Sequence, residues 1–305
     1  MSAAAAGASV SKAAAPTMRL RMARTGRRRS PLVSALRYGV VGLALIFFLF
    51  PIYWIAGTSI KYPGEFLSNP PVWIPSEVTF VHYQSVMADK GSLALRNSLI
   101  IAGSATLISV LIGSLAAYSL ARFNTGGRHL GFWLLSQRML PPVVLVIPFF
   151  LILREAGKIN TRLGIDQHLP LIVLYAVFNL PFVIWMMRSY FASVPAEIEE
   201  SAMIDGATRL GALRQITLPL ALPGLVATTV FAFIFSWTEF LFAVVFTRTN
   251  AFTLPVAIAG FTGAQGSNWG RACALAMVAT LPVFFLVLLV QRHFVRGLTL
   301  GAVRG

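Results

Sequence analysis

The sequence predicts an all-α membrane protein with six transmembrane helices, and three observations support that prediction. Hydrophobic residues make up 57% of the chain and charged residues only 11%, whereas soluble domains carry about 25% charge. The mean hydropathy is +0.75. Six apolar stretches each approach the roughly 20 residues that a helix needs to cross a bilayer core. A soluble globular protein is therefore excluded.

The six predicted spans are distributed along the whole chain after residue 37. They are Tyr38–Ile55, Ser98–Leu120, Phe132–Leu153, Leu169–Met187, Leu225–Phe246 and Ala272–His293. Several contain prolines, namely Pro51, Pro141, Pro142, Pro148, Pro170, Pro181 and Pro282. A proline in a lone lipid-facing helix leaves a backbone carbonyl unpaired, but neighbouring helices can satisfy that group. We therefore expect the spans to form a packed, kinked bundle.

The distribution of Lys and Arg predicts the orientation of this bundle. Sixteen of these residues fall on the side that holds both termini and eight on the other, with Arg138 inside the third span. This excess places both termini in the cytoplasm. Much of it comes from residues 1–36, which are low in complexity and contain no acid. We interpret 1–36 as a disordered basic cytoplasmic arm near anionic lipid and 37–305 as the transmembrane domain.

Several other functional classes are disfavoured by composition and by missing motifs. The net charge of +15 could indicate nucleic-acid binding, but the basic residues are better explained by membrane orientation. Cys273 is the only cysteine, so neither an intrachain disulfide nor a cysteine-based metal site is expected. The four histidines lack metal-ligand spacing, and no GxSxG or HExxH motif occurs. A membrane enzyme is therefore disfavoured.

The segment between spans 4 and 5 concentrates negative charge. Four of the ten acids lie within nine positions: Glu197, Glu199, Glu200 and Asp205. The pattern predicts a helix with Ser193 as its cap and Pro195 in its first turn. Acids in the early turns suit the helix dipole. Asp205 and Gly206 should end this helix, because glycine readily adopts the left-handed cap conformation.

A second short helix should follow the turn, with Thr208 as its N-cap. In the first helix, Ile198, Ala202 and Met203 form a short apolar stripe opposite the carboxylates. The predicted product is a cytoplasmic helix–turn–helix hairpin. It could rest on lipid headgroups, but four acids oppose an anionic surface. Docking into a groove of a partner protein is the favoured alternative.

The residues of this hairpin resemble the EAA loop of ABC-importer permeases. That family pattern is Glu-Ala-Ala, three residues, Gly, nine residues, Ile, one residue and Leu-Pro. The sequence has Glu200, Ser201, Ala202, Gly206, Ile216, Leu218 and Pro219 at that spacing, with serine in place of the first alanine. The resemblance covers about residues 36–305 and is closest to the carbohydrate-uptake subfamily of the maltose importer's second permease. "NSL" at 97–99, "ARF" at 121–123, "WTEF" at 237–240 and "GLTLGAVRG" at 297–305 also resemble that group.

The resemblance implies a type I ABC-importer permease bundle in a bacterial cytoplasmic membrane. Residues 191–223 would be the coupling loop, docking on an ATPase dimer through Glu200, Ser201, Ala202, Asp205, Gly206, Ile216, Leu218 and Pro219. The other implied partners are a second permease subunit and an extracytoplasmic solute-binding protein that delivers a sugar or polyol. This chain has no GxxxxGK[ST] phosphate loop. ATP and magnesium would therefore be bound by the partner ATPase, and no cofactor is expected in this chain.

Span 5 contains the second set of candidate residues. Glu239 lies within the apolar stretch, and intramembrane acids are candidates for function. Trp237 and Phe240 could stack on sugar faces, and Thr238 stands where the family more often has Asn. These four residues are the predicted substrate path, while a buried polar contact between helices is an equally acceptable role for Glu239. No direct pair with Arg138 is expected, because the two residues differ in depth by more than one helical turn.

Two functional classes remain as alternatives to an ATP-driven importer. An ion-coupled secondary transporter would commonly have inverted repeats and several buried acids, whereas this chain has Glu239 and one six-span unit. A scaffold protein without an ATPase partner is the other alternative. The loop between spans 5 and 6 and the loop from Lys61 to Arg96 are predicted to form the outer surface.

Overall fold

The computed structural model describes residues 31–123, 125–262 and 268–301 of the chain. The described residues divide into two compact units, one that ends at Phe50 and one that begins at Pro51. The described residues contain thirteen α-helices and no β-strand. The helices are α1 Pro31–Ser59, α2 Val81–Val86, α3 Ser92–Arg122, α4 Gly127–Gln137, α5 Pro142–Ile159, α6 His168–Ala192, α7 Ala196–Ile204, α8 Arg209–Ala212, α9 Leu218–Leu220, α10 Leu222–Trp237, α11 Leu241–Phe246, α12 Leu254–Gly260 and α13 Trp269–Gly301.

Within the described ranges, four helical segments are long and apolar enough to cross a membrane. They are Leu32–Ser59, Val81–Arg122, His168–Ala192 and Trp269–Gln291. Two bent helix pairs raise the number to six if each pair is one span. The predicted all-α class is therefore confirmed. The predicted orientation of the termini stays a prediction.

The third and fifth predicted spans are not straight helices. In the third, α4 and α5 meet at 83°, because Pro141 is extended and Pro142 starts a new helix without a backbone donor. In the fifth, α10 ends at Trp237 and α11 begins at Leu241. A further bend of 79° separates the segment Arg209–Leu220 from α10. Hydropathy detected the apolar composition of these segments but not the breaks.

The predicted domain boundary at residue 37 stays a prediction, although the helix around it starts earlier. Helix α1 begins at Pro31, so it includes the last six residues that were assigned to the arm. Residues 1–30 lie outside the described residues, as do 263–267 of the outer loop and 302–305 of the C-terminal stretch that carried part of the resemblance.

The core of residues 51–305 is built on α3 and α6, which pack against each other and against α10. Close approach is possible because small residues stand at the contacts. A Cβ on Gly113 of α3 would lie 2.6 Å from Val183 Cγ1 of α6. A Cβ on Gly224 of α10 would lie 2.1 Å from the Tyr190 ring of α6. Small residues serve helix packing in membranes because they let backbones approach.

The "NSL" residues hold the segment that leads into α12. Asn97 Nδ2 donates to the carbonyl oxygens of Asn250 at 2.8 Å and Phe252 at 3.0 Å. Ser98 Oγ accepts from the Leu254 amide at 2.8 Å. Both side chains are buried, and buried polar side chains of this kind are satisfied by such bonds.

A single carboxylate organises the neighbouring loop. Asp166 accepts hydrogen bonds of 2.8–3.1 Å from the amides of Arg248, Thr249, Asn250 and Ala251, and one of 3.2 Å from Thr249 Oγ1. Its φ of +64° lies in the left-handed region that aspartate tolerates. Burial raises the pKa of the Asp166 carboxyl, but the backbone amides more than offset this effect, so the pKa lies below its usual range.

Asp166→Asn should lower the free energy of unfolding by about 1–2 kcal/mol, because an amide keeps one acceptor oxygen and turns an NH2 group toward backbone donors. A depressed pKa means that the wild-type contribution is present above the unfolded pKa of about 3.9 and is lost as pH falls through the folded pKa. Thermal unfolding of the detergent-solubilised protein, followed from neutral to acidic pH, measures both effects. Glu77→Gln, at an exposed position, is the control. Equal stability of both variants at neutral pH would contradict this role.

Candidate functional site

The acidic segment folds as the predicted hairpin. Helix α7 ends at Ile204, and Gly206 follows with a φ of +95°. The Gly206 amide donates to Met203 O at 3.1 Å and the Ala207 amide to Ala202 O at 3.0 Å. This pair of bonds is the Schellman arrangement. Thr208 then caps α8 by accepting from the Gly211 amide at 3.1 Å. The predicted turn and second cap are therefore confirmed.

The predicted cap of the first helix is wrong. Pro195 occupies the N-cap position of α7 and makes no side-chain cap bond. Ser193 Oγ instead donates to the Tyr190 carbonyl at 2.7 Å, at the end of α6. The helix starts two residues later than a serine cap would require, because Pro195 is extended and the residue before a proline is kept out of the helical region.

The predicted apolar stripe also differs from the structure. Ile198 is exposed, while Ala202 and Met203 are half-buried beside Glu199. Glu199 itself is only 4% exposed. The inward face of α7 therefore contains a carboxylate, and the other two acids of the helix, Glu197 and Glu200, are exposed.

A polar cluster explains why Glu199 can be buried. Arg122, the last residue of α3, donates to Glu199 Oε1 from Nε at 2.7 Å and from Nη2 at 2.5 Å. Tyr118 Oη donates to Oε2 at 2.8 Å, and Thr217 Oγ1 donates to Oε1 at 2.5 Å. Arg122 Nη2 also donates to Val194 O at 2.9 Å. We call Tyr118, Arg122, Glu199 and Thr217 the hairpin clamp.

The electrostatics of the hairpin clamp favour an ionised carboxylate. Burial raises the pKa of the Glu199 carboxyl, but the hydrogen bonds from Arg122, Thr217 and Tyr118 and the charge of Arg122 outweigh burial. The pKa of Glu199 therefore lies below its ordinary value. Removing one partner of such a buried ion pair is costly, because the other charge is left buried without compensation.

Sequence reasoning missed this clamp, although signals for it exist. Tyr118 and Arg122 are four residues apart, so they lie on one face of α3. Arg122 lies in the "ARF" stretch at the end of an apolar span, where a charge needs a partner or water. No sequence signal, however, identifies Glu199 rather than a neighbouring acid as that partner.

The motif residues occupy two different environments. Glu200, Ser201, Asp205 and Gly206 are exposed on the hairpin, with Ala202 half-buried. Ile216 and Leu218 are half-buried, and Leu218 packs against the apolar core formed by α3 and α6. Pro219 is exposed in the first turn of α9. The hairpin tip adds two exposed apolar side chains, Ile204 at 86% and Leu210 at 67%.

The "WTEF" residues lie at the break between α10 and α11. Trp237 is buried, stacks on Phe233 and donates from Nε1 to Ala279 O at 3.1 Å. Thr238 Oγ1 donates to Ile234 O at 2.8 Å. Glu239 accepts from the amides of Phe242 at 3.0 Å and Ala243 at 3.4 Å. The carboxylate therefore satisfies the donors at the start of α11, which is a structural reason for an intramembrane acid.

A cavity of about 670 Å³ opens beside this break, between α4, α5, α6, α10 and α11. Of the four predicted substrate-path residues, only Glu239 lines it. The other polar side chains that line it are Gln137, Arg138, Tyr175, Asn179 and Ser236, and its aromatic walls are Trp133, Phe149, Phe178, Phe235 and Phe242. As expected, no ion pair joins Arg138 to Glu239.

Arg138 and Asn179 are both held by protein contacts at the edge of this cavity. Arg138 lies 4.6 Å from the Phe235 ring centroid and donates to Phe178 O at 3.2 Å. Asn179 Nδ2 donates to Ser236 Oγ at 2.8 Å and joins α6 to α10. The polar groups are thus fixed in orientation by the helices that present them.

Comparison with known proteins identifies the family. Residues 109–300 match the family described as binding-protein-dependent transport system inner membrane component. Since that match covers more than half of the chain, the protein belongs to this family and is a membrane component of such a transport system.

Two curated relatives cover most of the chain. The trehalose transport system permease protein SugB of Mycobacterium tuberculosis is 40% identical, over 92% of this chain and 100% of that protein. The diacetylchitobiose uptake system permease protein DasC of Streptomyces coelicolor is 38% identical, over 84% and 92%. A crystal structure of a bacterial ABC transporter for the acidic polysaccharide alginate shares the fold, with a TM-score of 0.71 over 88% of this chain and 98% of that chain at 24% identity.

Gly206→Ala should destabilise the hairpin turn by about 1 kcal/mol, because a φ of +95° is strained for an L residue although a Cβ would meet no atom within 4 Å. Gly206→Asn should cost less, since asparagine tolerates the left-handed region. Hydrogen–deuterium exchange at residues 205–207 measures the effect as faster exchange in the alanine variant. Gly64→Ala, which also has free space but no positive φ, is the control. Unchanged exchange in Gly206→Ala would contradict the strain.

Proposed function

We propose that this chain is the permease subunit of an ATP-driven importer that moves a sugar or polyol into the cytoplasm from an extracytoplasmic binding protein. The observation that carries the proposal is the hairpin α7–α8, which combines the EAA-loop spacing with an exposed acidic and apolar surface. Membership of the binding-protein-dependent family supports delivery of the solute by a binding protein. Relatives named for trehalose and diacetylchitobiose uptake support a saccharide.

The exposed face of the hairpin is better suited to burial in a groove of a partner protein than to contact with water. Ile204 and Leu210 expose large apolar side chains at its tip, and such side chains favour burial in a protein interface. Glu200 lies on the same exposed side of α7 and can pair with a basic or polar group of the partner. We propose that this partner is an ATPase subunit, which would bind ATP and magnesium. The second permease subunit would supply a hairpin of its own.

The cavity beside Glu239 is the part of this chain that suits a saccharide. Sugars bind where aromatic faces cover their C–H surfaces and fixed polar groups meet their hydroxyls. Phe149 and Phe178 offer such faces, and Asn179, Ser236 and Glu239 offer polar atoms. The second permease subunit would complete the passage. Trp237, Thr238 and Phe240 remain predictions as substrate contacts.

The docking surface can be tested by reversing its charge. Glu200→Lys combined with Asp205→Lys should leave the protein in the membrane and abolish uptake, because two lysines would face the basic or polar groups that Glu200 is proposed to meet. Uptake of labelled substrate and the amount of the chain in membranes are measured together. Glu77→Lys combined with Glu155→Lys makes the same charge change at exposed positions outside the hairpin. Wild-type uptake by the hairpin variant would refute the docking assignment.

The energy source of uptake distinguishes an ATP-driven importer from an ion-coupled transporter. Orthovanadate, which traps ATPases of this class, should stop uptake by proteoliposomes that contain the whole assembled system and internal ATP. A protonophore should leave that uptake intact. Glu239 favours the ATP-driven alternative, because its carboxylate is already engaged by two backbone amides. Uptake that resists vanadate and fails with the protonophore would establish the ion-coupled alternative.

A further inference from the structure

We propose that Glu199 is the positioning residue that transmits displacement of the docked helix α7 to the membrane helix α3. In this role Glu199 does not contact the ATPase but makes α7 and α3 move together. The inference rests on the proposed function, in which the exposed face of α7 is held by an ATPase subunit. It assigns different roles to acids that are adjacent in sequence, with Glu200 facing outward and Glu199 facing inward.

The hairpin clamp joins three separate parts of the chain at one carboxylate. Tyr118 and Arg122 belong to the end of α3, and Glu199 to the middle of α7. Thr217 ends the second arm of the hairpin, which we define as α8 together with the helical segment Leu213–Thr217 that follows it. Four hydrogen bonds of 2.5–2.8 Å converge on the two oxygens of Glu199. A displacement of any one part must therefore either carry the others or break charge-assisted bonds, which are among the strongest in proteins.

Arg122 strengthens the connection because it bonds both to α7 and to the backbone just before α7. Its guanidinium pairs with Glu199 and also donates to Val194 O, just before α7 begins. The side chains of Arg122 and Glu199 are only 11% and 6% exposed. Water therefore screens the pair weakly, and the alternative state leaves a buried charge without a partner.

Helix α3 is suited to receive this displacement. It packs against α6 and also against α10. Residues of these three helices form one apolar cluster together with Leu213 and Ala221 of the segment after α8. Helix α7 itself packs on the second arm of the hairpin. Its polar contacts with α3 are made by Glu199. Among the described residues, the hairpin clamp is thus the polar connection between α7 and α3.

The experiment uses the complete transporter, reconstituted with its partner subunits and binding protein in proteoliposomes. ATP hydrolysis and substrate uptake are measured on the same vesicles. Glu199→Gln keeps the size of the side chain but removes its charge, so the ATPase should remain bound and active while uptake per ATP falls roughly fivefold or more. Glu197→Gln, at an exposed position of the same helix, should keep the wild-type ratio.

A covalent cross-link in place of the ion pair distinguishes a loss of the connection between α7 and α3 from a general loss of structure. In a Cys273→Ser background, Glu199→Cys is combined with Arg122→Cys and treated with a flexible bis-maleimide. Uptake per ATP should fall in the untreated pair and recover after cross-linking, since the tether again makes α7 and α3 move together. The two single-cysteine variants with the same reagent are the controls.

Each result decides between the roles. A wild-type ratio in Glu199→Gln, dissociation of the ATPase from that variant, or no recovery on cross-linking would overturn the inference. If Glu199→Gln fails to reach the membrane, the cross-linked pair decides alone. Failure of the proposed function looks different: the wild-type assembly itself would then show no ATP-dependent uptake.

Discussion

Backbone polar groups inside an apolar helical protein must be satisfied by the protein itself, and this constraint governs the rest of the structure. Each break in a helix creates donors or acceptors without partners. The chain has only ten acids. It uses two of them where helices begin or end, and a third, in the middle of α7, to hold that helix to the end of α3. Glu239 covers the donors at the start of α11, Asp166 gathers the amides after α11, and Glu199 anchors the helix that follows α6.

Each of the three carboxylates accepts several hydrogen bonds from the protein, but the donors differ. Asp166 and Glu239 accept mainly from backbone amides, so they fix local shape. Glu199 accepts from side chains of α3 and of the second hairpin arm, so it fixes the relation between elements. The exposed acids of the hairpin, Glu197 and Glu200, have no such internal role among the described contacts. Burial therefore separates structural carboxylates from surface carboxylates within one helical turn.

The same constraint shapes the cavity near the membrane interior. The break at Thr238–Phe240 and the bend between α4 and α5 both leave space beside α6. The polar groups that line the cavity are fixed by neighbours, as with Asn179 and Ser236. Polar side chains thus line a cavity in a chain that is otherwise strongly apolar.

Several features followed from the sequence because they depend on local chemistry. Apolar stretches near 20 residues indicated helices, Gly206 indicated the turn, and Thr208 indicated the second cap. The spacing from Glu200 to Pro219 pointed to the transporter family. These inferences hold because hydropathy, positive φ and capping involve residues that are close in the chain.

Ser193 shows where local reasoning fails. A serine before a helix is a good cap in isolation, yet Pro195 delays the helix and Ser193 bonds to the end of α6. Trp237 is a similar case, because an aromatic residue near an intramembrane acid could face either the cavity or the core. Its indole packs on Phe233 and donates to α13. Which way each side chain turns depends on helices that are distant in sequence.

The sequence by itself determined that this chain is a helical membrane protein of the importer class with an acidic hairpin between two spans. Only the tertiary structure decided which acid is buried. Glu197, Glu199 and Glu200 have the same chemistry and nearly the same position, so no local rule separates them. The packing of α7 against the second arm turns Glu199 toward Arg122 and Tyr118, 77 and 81 residues earlier in the chain. A buried carboxylate is stable only where such distant donors converge.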